Sequence, residues 1–119
     1  MKYDLDERLI NFASEIIQIV GKIPNSITGN HISKQITKSG TSPAANHGEA
    51  QSAESRQDFI HKMKIALKEL RETLVWLKVL AKTRLLKQEE VQLLIQECNE
   101  LISIFVKSIE TARKNLRVE

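Results

Sequence analysis

The chain has 119 residues, room for one hydrophobic core, and its 41% hydrophobic content excludes a disordered polymer. Four Gly and two Pro are too few for the turns of an all-β fold, so composition points to helix. The net charge of +3 is uneven: residues 54–87 carry nine basic and four acidic side chains, whereas 88–119 carry four and six, so an anionic partner is to be sought on the third quarter of the chain.

The N-terminus, MKYDLDERL, has acidic residues where a signal peptide would have a basic flank and an apolar stretch. With apolar runs of only a few residues, the expectation is a soluble, cytoplasmic protein that does not enter membranes. Leu9, Phe12, Ala13, Ile16, Val20 and Ile23 share one face of a first helix, which GKIPN at 21–25 ends.

Over 30–50 the helical phase places Ile32, Ile36, Ser39, Pro43, Asn46 and Ala50 on one face. The pattern crosses Pro43 without losing register, which predicts a second helix kinked at Pro43; a break near 40–43 is the alternative. Ser39 or Ser42 is placed to cover a freed backbone group, and Gly40, Ala44 and Ala45 are small enough to let a neighbouring helix approach closely.

The third helix, about 54–83, has three faces. Phe59, Met63, Ala66, Leu67, Leu70, Leu74 and Leu77 form the core stripe, and Lys64, Lys68, Arg71, Lys78 and Lys82 form a basic stripe. Asp58, His61, Ile65, Glu69, Glu72, Trp76 and Val79 make a third face, expected to meet another chain or the second helix. In a fourth helix Val91, Ile95, Cys98, Ile102, Phe105 and Ile109 form the apolar stripe, with Lys107, Arg113, Lys114 and Arg117 toward its C-terminal end. Cys98, the lone cysteine, reads as a small buried hydrophobe. The fold expected is an all-α, antiparallel up-down-up-down four-helix bundle in a single domain spanning 1–119.

Two blocks, SGTSPAANHGEA and DFIHKMKIALKELRETLVWL (Asp58 to Leu77), resemble the signature of the small bacterial four-helix-bundle proteins first noticed as products of intervening sequences in large-subunit ribosomal RNA genes. That family includes the accessory variability determinant of diversity-generating retroelements. Ser39, Ser42, Asn46 and Glu49 match the polar pattern of the first block; Asp58, Phe59, Ala66, Glu72 and Leu77 match the second. His47 and Gly48 depart from it, standing where members often carry a bulky residue or Tyr and a basic residue. The resemblance implies a ring-like homopentamer and a basic surface that, in the retroelement member, engages nucleic acid and a reverse transcriptase. It carries over no catalytic residue.

Ser39, Ser42, Asn46 and Glu49 are therefore expected to form a polar network joining helices or subunits, with Glu72, Lys62 or Lys38 as partners, and Asp58, Ile65, Glu72 and Trp76 to belong to the same interface. The stripe Lys64, Lys68, Arg71, Lys78 and Lys82 is the candidate site for RNA or DNA, with phosphate contacts but no interleaved aromatics for base stacking. The bland alternative is a solvated face with acidic neighbours. An enzyme alternative rests on Arg56 and His61, whose R-x4-H spacing resembles helical-bundle ribonucleases that pair Arg and His across subunits. His31, His47 and His61 lack the i, i+4 pairing of a helical metal site, and no cofactor is expected. The function expected is that of a non-enzymatic homo-oligomeric adaptor, with a purely structural scaffold as the alternative.

Overall fold

The computed structural model describes residues 4–118, with side chains through Leu116. Four helices follow one another: α1 (Leu5–Val20), α2 (Ile27–Gln51), α3 (Arg56–Thr83) and α4 (Gln88–Val118). The short connections at 21–26, 52–55 and 84–87 force antiparallel neighbours. Each helix packs on the next and α4 returns to α1, whereas the diagonal pairs α1–α3 and α2–α4 do not approach through their backbones. The result is the four-helix bundle expected, with no strand among the described residues.

Side-chain caps set three of the starts. Asp4 accepts from the Glu7 amide, Ser26 from Gly29 and Ser55 from Asp58, at 3.2, 2.9 and 3.0 Å. At the last of these the Asp58 carboxylate reciprocates by accepting the Glu54 amide at 3.3 Å, and it also receives Lys62. Those two interactions, the amide first, hold its carboxyl below the usual aspartate value. α3 ends at Arg84, whose φ of 58° is left-handed, and the Gln88 side-chain amide donates to the exposed Ala81 carbonyl at 2.6 Å.

α2 runs unbroken through Pro43, as its continuous phase predicts, so no break interrupts 40–43. Proline withholds the N–H that the Ser39 carbonyl would accept. The hydroxyls of Thr41 and Ser42 bond back to the Thr37 and Lys38 carbonyls at 2.7 and 2.6 Å, while the Ser39 hydroxyl goes to another helix. Gly40 is buried against the side chain of Ile16 in α1. Gly48 is the opposite case: exposed, of ordinary helical φ, with no atom within 4 Å of an added Cβ. Gly48→Ala is therefore expected to stabilise the protein by about 0.5–1 kcal/mol. Thermal melting by circular dichroism checks this, and an unchanged midpoint would mean that the last turn of α2 contributes nothing to the cooperative unit.

The core is wider than the stripes read from sequence. On α3 Ile60, Thr73 and Leu80 are buried, while Phe59, Leu67 and Leu74 are half-buried on its flanks. On α4 Leu94 and Leu101 replace Ile95 and Ile102 in the centre, and on α1 Ile19 is buried where Ala13 and Val20 are half-buried, as is Ile23 in the connection that follows. A helix gripped by two neighbours buries an arc broader than one stripe, so apolar residues on either flank compete for the middle. Cys98 is fully buried, as expected; its thiol donates to the Leu70 carbonyl at 3.3 Å, and burial, with Glu97 nearby, pushes it up to about 12.

Candidate nucleic-acid interface

Lys64, Lys68, Arg71, Lys78 and Lys82 are all exposed and lie on the side of α3 that flanks α4. The stripe is about 27 Å long at 1.5 Å per residue. It includes one apolar residue, Val75, which is 57% exposed. None of the five cations has an ion-pair partner among the described residues. The reason lies in where the acids point. α4 turns Glu97, Glu100 and Glu90 toward α1, where the first two hold Arg8 and the third holds Lys22 at 2.6 Å. By helical phase α4 offers Gln92, Asn99 and Ser103 to the flank beside the stripe. Glu69 and Glu72 of α3 face α2 instead, and Glu72 accepts the Trp76 indole N–H at 3.2 Å. The acidic neighbours of a neutralised surface are thus directed elsewhere.

The third face of α3 lies alongside the polar stripe of α2. Trp76 is half-buried and meets the second helix, its ring edge-on to His31 with centroids 6.0 Å apart. Ile65 remains 37% exposed. Within the protomer the expected network does not form. Among the described residues only Ser39 of the four α2 positions bonds to another helix, through Thr73 at 2.9 Å, a partner the sequence reading missed. Ser42 bonds back into its own helix, and Asn46 and Glu49 have no side-chain hydrogen bond among the described residues. Two of their expected partners are engaged locally, Glu72 by Trp76 and Lys62 by Asp58 at 3.3 Å.

His47 is the other residue the sequence reading missed. It is buried, with Nδ1 against the Asp6 carboxylate, Nε2 3.2 Å from the Gln51 amide nitrogen, and its ring edge-on to Phe105. The Gln51 amide donates to Nε2, which leaves Nδ1 to carry the ring proton toward Asp6. His47 thus ties α1 to α2 and reaches across to α4. Its place four residues after Pro43 and three before Ala50 was the available signal.

Arg56 lines a groove with Phe59 and the α4 residues Ile104, Ser108 and Ala112, whereas His61 is exposed about 140° away around the same helix. A single chain does not bring those two together. Among the described residues no three His, Cys, Asp or Glu side chains are placed to hold a metal ion, and no helix is long and apolar enough to cross a membrane. Of the α4 cations, Lys107, Arg113 and Lys114 are exposed, and the side chain of Arg117 lies outside the described residues.

A solved crystal structure of a protein of unknown function, from the S23 ribosomal protein family of Bacteroides thetaiotaomicron, shares this fold with a TM-score of 0.83 and 35% identity, over 89% of this chain and 98% of that one. No curated protein matches the chain. The family model for the 23S rRNA-intervening sequence protein matches residues 2–107, nearly the whole sequence, including both blocks that carry the resemblance. On that match and the shared bundle, the chain belongs to the 23S rRNA-intervening sequence protein family.

Proposed function

We propose that the protein is a non-enzymatic, cytoplasmic adaptor that assembles as a homopentamer and presents the α3 stripe to RNA or DNA, alone or alongside a nucleic-acid-handling protein such as a reverse transcriptase. The observation that carries this reading is that Lys64, Lys68, Arg71, Lys78 and Lys82 share one continuous exposed face and have no ion-pair partner among the described residues. Unpaired cations in a row release counterions from a polyphosphate without having to break internal bonds first, which gives sequence-independent, salt-sensitive affinity. Lys68→Glu with Arg71→Glu is expected to abolish RNA binding at moderate salt while leaving the oligomer intact. Fluorescence anisotropy with a structured RNA, run beside light scattering, checks both; unchanged RNA binding would remove the stripe from the site.

Self-association is assigned to the α2–α3 face, where Ile65 is exposed, Trp76 and Val79 are half-buried, and the side chains of Asn46 and Glu49 have no partner among the described residues. Unengaged polar groups beside an apolar patch suit a surface that is completed by a second copy. Ile65→Glu together with Trp76→Ala is expected to reduce the mass in light scattering from five protomers toward one. A pentamer that persists would place the contact on another face.

A further inference from the structure

We infer that the basic surface does not stop at the end of α3 but turns the corner of the bundle, and that Lys82, Arg84 and Lys87 clamp the phosphates of a double-helical nucleic acid. This rests on the nucleic-acid reading of the α3 stripe and adds residues and a ligand class to it. Between Lys64 and Lys87 the chain carries seven cations on the stripe and turn, and its two acids, Glu69 and Glu72, face α2. Arg84 and Lys87 are exposed and, like the five cations of α3, have no ion-pair partner among the described residues. Together with Lys82 they border an open cleft of about 590 Å³ whose floor includes Leu86 and Gln88, with Glu89 the acid on its rim. Arg84 leaves α3 in the left-handed region at φ 58°, so the chain reverses at this residue and Lys87 returns beside Lys82.

The ligand class follows from what the face lacks as much as from what it has. Single strands are held by aromatic platforms on which bases stack. The described aromatic residues are turned elsewhere: Phe12 and Phe105 into the core, Phe59 toward α4, and Trp76 toward His31. Charge alone favours the duplex, which carries one phosphate per about 1.7 Å of axis against 3.4 Å per strand and releases more counterion per contact. From Lys64 to the turn the cations extend about 29 Å, close to the 34 Å of one turn of a B-form duplex, so the two ends of the row can meet backbone phosphates about one turn apart along the duplex.

Titrating the full-length protein into a 20-base-pair DNA duplex and into its separate single strand, across a salt series, tests the clamp. Arg84→Asn with Lys87→Gln is the variant pair, because asparagine tolerates the left-handed conformation and the fold is kept. The expected result is tighter binding of the duplex than of the strand, and in the variant a loss of about tenfold or more with a salt slope shallower by about 1.8. If Lys68→Glu with Arg71→Glu removes binding while Arg84→Asn with Lys87→Gln does not, the clamp is overturned and the α3 surface stands. Equal affinity for strand and duplex overturns the ligand class. A wild-type protein that binds neither overturns the α3 surface together with the clamp.

Discussion

Gly40→Val is expected to cost about 3 kcal/mol of folding stability, because Gly40 is the contact through which α1 and α2 approach each other. An ideal Cβ at that position would stand 2.9 Å from both Cγ1 and Cγ2 of Ile16 and 3.3 Å from its Cβ. Ile16 is fully buried, and its branched side chain is confined to essentially one χ1 rotamer in a helix, so it cannot swing aside. Valine adds two further methyl groups to that clash, and the helices must separate to take them. Separation would also pull Asp6 from His47, the next link along the same pair of helices. Gly40→Ala is a milder case, since about 1 kcal/mol of gained helix propensity offsets part of the overlap. Urea denaturation of Gly40→Val, Ile16→Ala and the double variant checks the assignment. Ile16→Ala alone costs about 2–5 kcal/mol, but with that side chain cut back valine at 40 should cost less than half of its value in the wild type. Strictly additive losses would mean that the glycine is needed for something other than its contact with Ile16.

The same contact shows what could be read in advance. The apolar phase through Ile32, Ile36, Pro43 and Ala50 announced one continuous helix although Gly40 and Pro43 argued locally against it, because burial of a face outweighs the propensity of two residues. The need for a small residue at 40 was legible; that its neighbour is Ile16 was not, since helical phase says which side is buried but not which helix lies there. For the same reason Leu101 and Ile102 could not be ranked: both are apolar and adjacent, and only the positions of α1 and α3 decide which faces the middle. His47 was missed because it scores as polar, and the carboxylate that satisfies it is 41 residues away in the sequence. The α3 stripe was visible as a row of cations at helical spacing. Its lack of ion pairs was not, because it depends on α4 turning Glu90, Glu97 and Glu100 toward Lys22 and Arg8.

Thr73→Val is expected to destabilise the protein by about 1–3 kcal/mol although the two side chains have nearly the same shape. Thr73 and Ser39 are both fully buried, their hydroxyl oxygens 2.9 Å apart, and Thr73 Oγ1 also lies 2.8 Å from the Glu69 carbonyl. A hydroxyl has one proton, so Thr73 gives its own to that carbonyl and accepts the proton of Ser39. Valine removes the acceptor and leaves the Ser39 hydroxyl sealed between helices. Ser39→Ala is the gentler change, because Thr73 keeps its bond to Glu69. The double variant Ser39→Ala with Thr73→Val replaces both polar groups by apolar ones and should be about as stable as Ser39→Ala alone, so that the two losses do not add. Equilibrium denaturation of the three variants decides, and additive losses would show that the hydroxyls act separately. The pair has a structural consequence beyond its energy. Sliding α3 along α2 by one turn, about 5.4 Å, keeps apolar residues against apolar residues but takes the Thr73 acceptor away from the buried Ser39 hydroxyl, while Thr73 keeps its bond to Glu69. A single interhelical bond of this kind therefore fixes the register that sets the α3 stripe beside the neutral flank of α4.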